Sequence, residues 1–502
     1  SSFKNTLTRC PQNRQQANKV IRVKISRLIL EHFNESIERT TGEENGAYNL
    51  RRTTKLQTLG DRLRQECKSN SATVGLFLEK IRSEREKIEN SYRQKIVFLI
   101  DSLKHPDEVK TLRSLYGGSF RLVSVFADRD TRERRLTNKA SGKFQKAENH
   151  QVRIALDRDE DDKSKDHGQK VRKTFFLGDF FINNTEHHSD TADDFVFDSS
   201  LNRFTKMLVG ESLHRPTPEE AAMYHAFGAA MQSTCLSRQV GAVLTNSDGQ
   251  IVSTGINEVP KYGGGVYDSS SLTSDRRCFA WQYERGELQF TGCHKDRKNS
   301  ELRDQIAEWI KSSFLKVPLS NLNEEARGVI EKHLDNSASD ISEMPGVGDL
   351  IEYSRSIHAE MDALLTAGRN GISTTNKKLF CTTYPCHNCA RHLVSAGITE
   401  VQYIEPYVKS QAIDLHSDSI ADNFATASGS TVDGDLKIST KMVVRAFSGV
   451  GPRMYEDHFL KRGELKDEHG KFVPPEHKSL VSAAALNSIE ESEEKFRSHL
   501  MS

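Results

Sequence analysis

"IHAEMDAL" (residues 357–364) and "CTTYPCHNCA" (381–390) decide how this chain reads. The first places His358 and Glu360 two apart inside an apolar run. The second places Cys386 and Cys389 three apart, just after Pro385. One imidazole and two thiols are soft-to-borderline donors that suit zinc. Three protein ligands leave a fourth position for water, which is the catalytic rather than the structural arrangement. The spacing of "PCHNC" puts both thiols on one helical turn, and the helix that follows turns its positive end toward them, lowering their pKa. His358 precedes "AEMDALLTAG", a second helix start, so two helix N-termini would converge on one ion. Glu360, if it is not a ligand, is placed to move protons. A zinc-bound water ionises near neutral pH, and a neighbouring carboxylate can take its proton and pass it to a leaving group. The competing reading is a structural zinc site closed by a fourth Cys or His, for which Cys381 is the nearest thiol.

Around this centre the pattern is α/β. "RPTPEEAAMYHAFGAAMQST" opens a domain with Thr217 as helix N-cap, Pro218 in the first turn, and Glu219 and Glu220 at the positive helix end. "QVGAVLTN" and "QIVSTGIN", separated by "SDG", predict a hairpin. Residues 260–350 interrupt the rhythm as an insertion with some helix. Helix, strand, helix and strand then follow through "EVQYIE", and "KISTKMVVRAFSG" (437–449) predicts a late strand.

Upstream, residues 1–197 alternate helix and strand, as a doubly wound α/β domain does. "KIVFLIDSL" and "RLVSVFADRD" are unalternated apolar runs that suit parallel strands buried on both faces. The charge-dense stretch 128–173 reads as a solvated helix and loop, or as an arginine-bearing lid over phosphates. Residues 198–215 read as a linker helix, 216–457 as the second domain, and 458–502 as a polar tail.

"HAE…PCHNC" resembles the zinc-dependent cytidine and deoxycytidylate deaminases, whose signature is His-x-Glu followed by Pro-Cys-x-x-Cys. The likeness extends to "SRQVGAVLTNSDGQIVSTGINEVP" and "HLVSAGITEVQYIEPYVKS", and so covers residues 216 to 457 apart from the insertion. It implies a three-layer α/β/α deaminase fold. By resemblance His358, Cys386 and Cys389 would bind zinc, and Glu360 would shuttle protons to ring N3 and the departing ammonia. The Ala359 N–H would hold the pyrimidine carbonyl, Asn257 would contact the sugar hydroxyl, and Tyr407 would line the base pocket. The family's glycine after the asparagine is Glu258 here. Some deoxycytidylate deaminases carry a second, structural zinc in a comparable insertion; Cys278, Cys293 and His294 are the candidates, with free thiols as the alternative.

The amino-terminal part resembles P-loop nucleotide kinases in "VFLIDSLKHPDEVKTLRSLYG", "FRLVSVFADRDTRERRL" and "LGDFFINN". Asp101 would be the metal-binding acid of a nucleotide domain (ATP with Mg2+), or else a turn or cap residue. Arg132, Arg134 and Arg135 would be its lid. No Gly-x-x-x-x-Gly-Lys-Ser/Thr is present, and no glycine precedes Gly42. Either the phosphate loop lies upstream of Ser1, or the domain is not a working kinase. A kinase-like domain ahead of such a deaminase resembles the antiviral dCTP deaminases of bacteria. That implies hydrolysis of a deoxycytidine nucleotide, dCTP before dCMP, to drain the pool that a replicating phage needs. It also implies a homo-oligomer.

Composition bounds the alternatives. A net charge of +1, from 71 basic and 70 acidic residues, leans against a dedicated polynucleotide binder, so a DNA or RNA deaminase is the runner-up. A nucleotide kinase or sensor with a regulatory deaminase module is a third reading. No apolar run approaches the ~20 residues that a bilayer span needs. Nothing at the start points to secretion, and eight cysteines in 502 residues do not make a disulfide scaffold, so a reducing cytoplasm is expected.

Overall fold

The computed structural model describes residues 19–87, 96–137, 146–162, 167–185, 192–209, 214–280, 283–284, 287–288, 291–315, 323–343, 350–407, 410–422, 440–461, 463–473 and 483–501. The chain divides into two units, Ser1–Glu220 with Ala446–Ser502, and Ala221–Arg445.

In the first unit β1 (Lys19–Lys24) runs directly into α1 (Ile25–His32). There follow α2 (Asn45–Glu66), α3 (Ala72–Glu86), β2 (Ile96–Asp101), α4 (Pro106–Tyr116), β3 (Val123–Phe126), α5 (Arg129–Thr137), α6 (Lys146–Asp161), α7 (Val171–Phe175), β4 (Phe180–Asn183) and α8 (Ala192–Val209). The expected strands form, and β1 pairs in parallel with β2 as β3 does with β4. The described strands make a two-stranded sheet and a separate three-stranded one, not a single doubly wound sheet. Val23, Ile29, Leu63, Phe77 and Leu112 form the larger core.

Charge in this unit is paired internally. The Glu108 carboxylate accepts from the Lys104 N–H (2.6 Å), the His105 N–H (3.0 Å), Thr73 Oγ1 (2.7 Å) and buried Arg64 (2.9 Å). It thereby takes up donors at the start of α4, just past the carboxyl end of β2, where open α/β sheets usually meet ligands. Asp101 is ion-paired with Arg22. Arg132 pairs with Glu160 at 2.6 Å, and Arg135 donates to the Asn184 carbonyl, so these two side chains of the expected lid engage neighbouring elements.

The second unit begins within α9 (Pro218–Ala230). As the sequence predicts, Thr217 and Glu220 cap this helix reciprocally, Glu220 N–H to Thr217 Oγ1 at 3.2 Å and Thr217 N–H to Glu220 Oε2 at 2.9 Å. Then come β5 (Gly241–Thr245), β6 (Ile251–Ile256), β7 (Tyr283–Glu284), β8 (Glu287–Leu288), α10 (His294–Leu315), α11 (Glu324–Glu343), α12 (Ala359–Arg369), β9 (Lys378–Thr383), α13 (His387–Ser395), β10 (Glu400–Glu405), α14 (Ala412–Leu415), β11 (Ile420–Ala421) and β12 (Met442–Ala446). Their sheet has the order β11-β12-β10-β9-β5-β6. β10 runs parallel to β9, while β5 is antiparallel to both β9 and β6. The start of β5 and the ends of β6, β9 and β10 therefore share one edge of the sheet.

Helix α12 lies on β6 because Gly255 has no side chain. A Cβ there would sit 2.2 Å from the Ala359 carbonyl oxygen and 2.2 Å from the Ala363 nitrogen. Two polar ties fix the contact: Asp362 accepts from the Ile256 N–H at 3.0 Å, and Ser253 Oγ donates to the Ala363 carbonyl at 2.9 Å.

Three expected boundaries are corrected. Residues 446–457 belong to the first unit, where β13 (Gly449–Val450) pairs antiparallel with β4. The 198–215 stretch is not a free linker over its described part, since Leu201, Phe204 and Met207 of α8 are buried in a core with Phe180 and Val450. The polar end is not a tail. After α15 (Tyr455–Phe459), α16 (Ala483–Met501) seats Glu493 against Arg85 and Tyr116, both at 2.5 Å, and packs Phe496 on the larger core. Its polar composition concealed a helix held largely by ion pairs. No helix among the described residues is long and apolar enough to cross a membrane.

Gly255→Ala should lower stability by about 1–3 kcal/mol in chemical denaturation, because backbone must shift to admit the methyl. Gly228→Ala, in α9 with nothing within 4 Å of the added atom, should be neutral or stabilising. Equal midpoints for the two variants would refute the close approach of α12.

Candidate metal centre

Both metal-binding segments start a helix at the shared edge. β9 ends at Thr383, Pro385 prevents continuation of the ladder, and Cys386 becomes the N-cap of α13 with φ −70° and ψ 163°. Its sulfur accepts from the Cys389 N–H at 3.4 Å. His358 is the N-cap of α12, with φ −80° and ψ 152°. It is positioned by the Ile357 N–H, which donates to the Glu258 carbonyl at 3.0 Å.

His358 Nδ1 lies 3.4 Å from Cys386 Sγ and 3.3 Å from Cys389 Sγ. The three ligand atoms fall within 4.8 Å of one another, and this is the one such group of three or more among the described residues. The donor set fits zinc: two buried sulfurs and a half-buried nitrogen, with helix N-termini favouring the thiolates. Hydrogen bonding with Cys389, then with His358, pulls the Cys386 thiol down to about 4. The same bond with Cys386, together with burial, pushes Cys389 up. Hydrogen bonding to Cys386 raises His358 to about 9. Cys381 is fully buried in β9 and is not part of the group.

Glu360, on the first turn of α12, is 4% exposed, and burial pushes its carboxyl up to about 7. A group near neutrality can both accept and release a proton. Ala359 is wholly buried beside it. A cleft of about 220 Å³ opens onto His358, Met361, Cys389 and His392.

Asn257 is at this edge, but its carboxamide is engaged at both ends. Oδ1 accepts from the Val240 N–H at 2.6 Å, and Nδ2 donates to the Arg238 carbonyl at 2.6 Å. The side chain expected to reach a sugar therefore anchors the 238–240 backbone. Tyr407 lies under the Arg238 guanidinium, 5.6 Å from its ring centroid. Glu258 does not face outward: its buried carboxylate accepts from Thr234 N–H (2.7 Å), Thr234 Oγ1 (2.6 Å) and Val259 N–H (3.0 Å).

Sequence reading missed Cys235 and Asp362. Cys235 joins Cys278, Cys293 and His294 around one small cavity of about 20 Å³, with Ser237 Oγ 3.5 Å from Cys293 Sγ. Their ligand atoms do not close to the spacing of the first group. The thiol in "STCLSR" carried no spacing cue.

Residues 216–405 match the family model of the cytidine and deoxycytidylate deaminase zinc-binding region. This stretch resembles a zinc-binding domain of deaminase type. The chain is similar to the deoxycytidylate deaminase of Enterobacteria phage T4, 27% identical over 186 residues, which are 37% of this chain and 77% of the phage protein. It is also similar to ComE operon protein 2 of Bacillus subtilis, 41% identical over 54 residues, 11% of this chain and 29% of that protein. Among solved structures, the dCMP deaminase of cyanophage S-TIM5 in complex with dCMP and dUMP aligns with 41% of this chain and 93% of its own at 18% identity. Its TM-score of 0.21 is too low to bear on the fold.

Cys389→Ala and His358→Ala should each lose bound zinc, measured as metal per chain by elemental analysis, whereas Cys381→Ala should keep it. Zinc retained by both of the first two variants would place the ion elsewhere.

Proposed function

We propose that this chain is a zinc-dependent hydrolase that converts a deoxycytidine nucleotide, dCTP favoured over dCMP, to the deoxyuridine nucleotide and ammonia. The observation that carries this reading is a buried carboxyl, raised by burial to about 7, two residues from the histidine of a Cys-Cys-His donor set. The similarity to deoxycytidylate deaminases supports the substrate class.

His358, Cys386 and Cys389 would hold the zinc. Bound there, zinc supplies Lewis acidity that makes a water nucleophilic near neutral pH. Glu360 would take a proton from the attacking water, deliver one to ring N3 of the cytosine, and carry another to the departing amine. Water and cytosine thereby become uracil and ammonia. Burial matters to each transfer: a carboxyl near neutrality is a competent base in one step and a competent acid in the next. The Ala359 N–H, at the positive end of α12, holds the pyrimidine carbonyl. Asn257 shapes the sugar side of the pocket by anchoring the 238–240 backbone. Tyr407, under the Arg238 guanidinium, would line the base pocket. Draining dCTP would serve antiviral defence, with the first unit acting on activity.

Purified protein should release uracil nucleotide from dCTP or dCMP. Glu360→Gln should keep its zinc and lose turnover by at least about 10²-fold, as removal of a general acid–base does. Uracil formed only from single-stranded DNA or RNA, or undiminished turnover in Glu360→Gln, would overturn the proposal.

A further inference from the structure

We propose that Arg238 reads the phosphate of the nucleotide and sets the preference for nucleotide over nucleoside. The inference rests on the site being a nucleotide deaminase and names the residue that makes it one.

Arg238 sits just before β5, at the edge of the sheet that carries His358 and Cys386. The register puts Ala242 opposite Cys381 and Glu405 opposite Thr383, so the start of β5 and the end of β10 flank the strand leading to the metal ligands. Its backbone is pinned, because Asn257 Nδ2 donates to its carbonyl and Asn257 Oδ1 holds Val240 two residues on. Its guanidinium lies over Tyr407 and reaches Glu405 at 3.4 Å, with 38% of the side chain exposed. Arg238 thus touches two of the three residues expected at the substrate, Asn257 through its carbonyl and Tyr407 through its guanidinium.

The contacts suit anion capture. A partly exposed ion pair at this distance contributes little, so Glu405 orients the guanidinium without competing strongly for it. The Tyr407 ring lies against the guanidinium, whose fork of N–H donors matches phosphate oxygens bidentately. The other cations of this region are committed differently. Arg277 grips Asp275 through Nε and Nη2, at 2.9 and 2.6 Å. Arg355 donates to the Arg276 carbonyl and lines the cysteine cavity. The cleft opening on His358 has Glu352 and His392 in its walls, and no lysine or arginine among the described residues. The phosphate would be held by Arg238, at the same edge of the sheet.

The test measures binding by calorimetry on the full-length, zinc-loaded chain, with dCMP and deoxycytidine as probes, in a Glu360→Gln background that preserves the ligand. Arg238→Gln should weaken dCMP about tenfold to a hundredfold while deoxycytidine changes by less than about threefold, and Arg238→Lys should fall between. Equal weakening of both probes, unchanged dCMP affinity, or no dCMP binding at all would overturn the proposal. With Glu360 intact, turnover whose nucleotide preference survives Arg238→Gln defeats this inference alone. Arg238-dependent dCMP binding without turnover of any cytosine compound defeats the deaminase reading alone.

Discussion

The contact between α12 and β6 is what the rest of the second unit depends on. A helix can lie against a strand this closely only where the strand offers no Cβ, and Gly255 is that place. Ser253 and Asp362 then lock the helix by hydrogen bonds on either side of the glycine. With the helix seated, its N-terminus falls at the edge where β9 also ends. His358 and Cys386, each the capping residue of its own helix, come within 3.4 Å of one another. The metal centre follows from strand ends and helix starts meeting at one edge.

Three acidic side chains near this edge are buried, and their surroundings assign them different work. Glu258 is satisfied by three donors and holds the Thr234 backbone, so it builds the wall. Asp362 receives the Ile256 N–H and ties helix to strand. For Glu360 burial prevails and its carboxyl titrates near 7. A buried carboxyl with an intermediate pKa is suited to passing protons, whereas one surrounded by donors is suited to holding a shape.

The first unit is held by internal charge. Glu108 gathers two backbone N–H groups, a threonine and a buried arginine. Arg64 is shared between Glu108 at 2.9 Å and buried Asp61 at 3.5 Å. Asp101 is likewise matched with Arg22. In the described part of the 128–173 stretch, Arg129, Arg132 and Arg135 fold back onto acids and a carbonyl. At the far end of the chain, Glu493 does for α16 what an apolar stripe does for most docked helices, by pairing with Arg85 and Tyr116.

The sequence alone determined the metal donors and the local elements that present them. Capping residues, a helix-starting proline and the His-x-Glu and Cys-x-x-Cys spacings act over one or two turns, and that range is legible in a linear string. It also carried the Thr217–Glu220 cap and the β5–β6 hairpin. Tertiary structure decided what long-range contacts control. It turned Asn257 inward to hold the Arg238 and Val240 backbone, buried Glu258, and brought Cys235 to Cys278 and Cys293. It also returned residues 446–502 to the first unit. The reason is physical: whether a side chain faces a ligand or its own backbone depends on which donors and acceptors distant segments leave beside it, and periodicity along the chain carries no record of them.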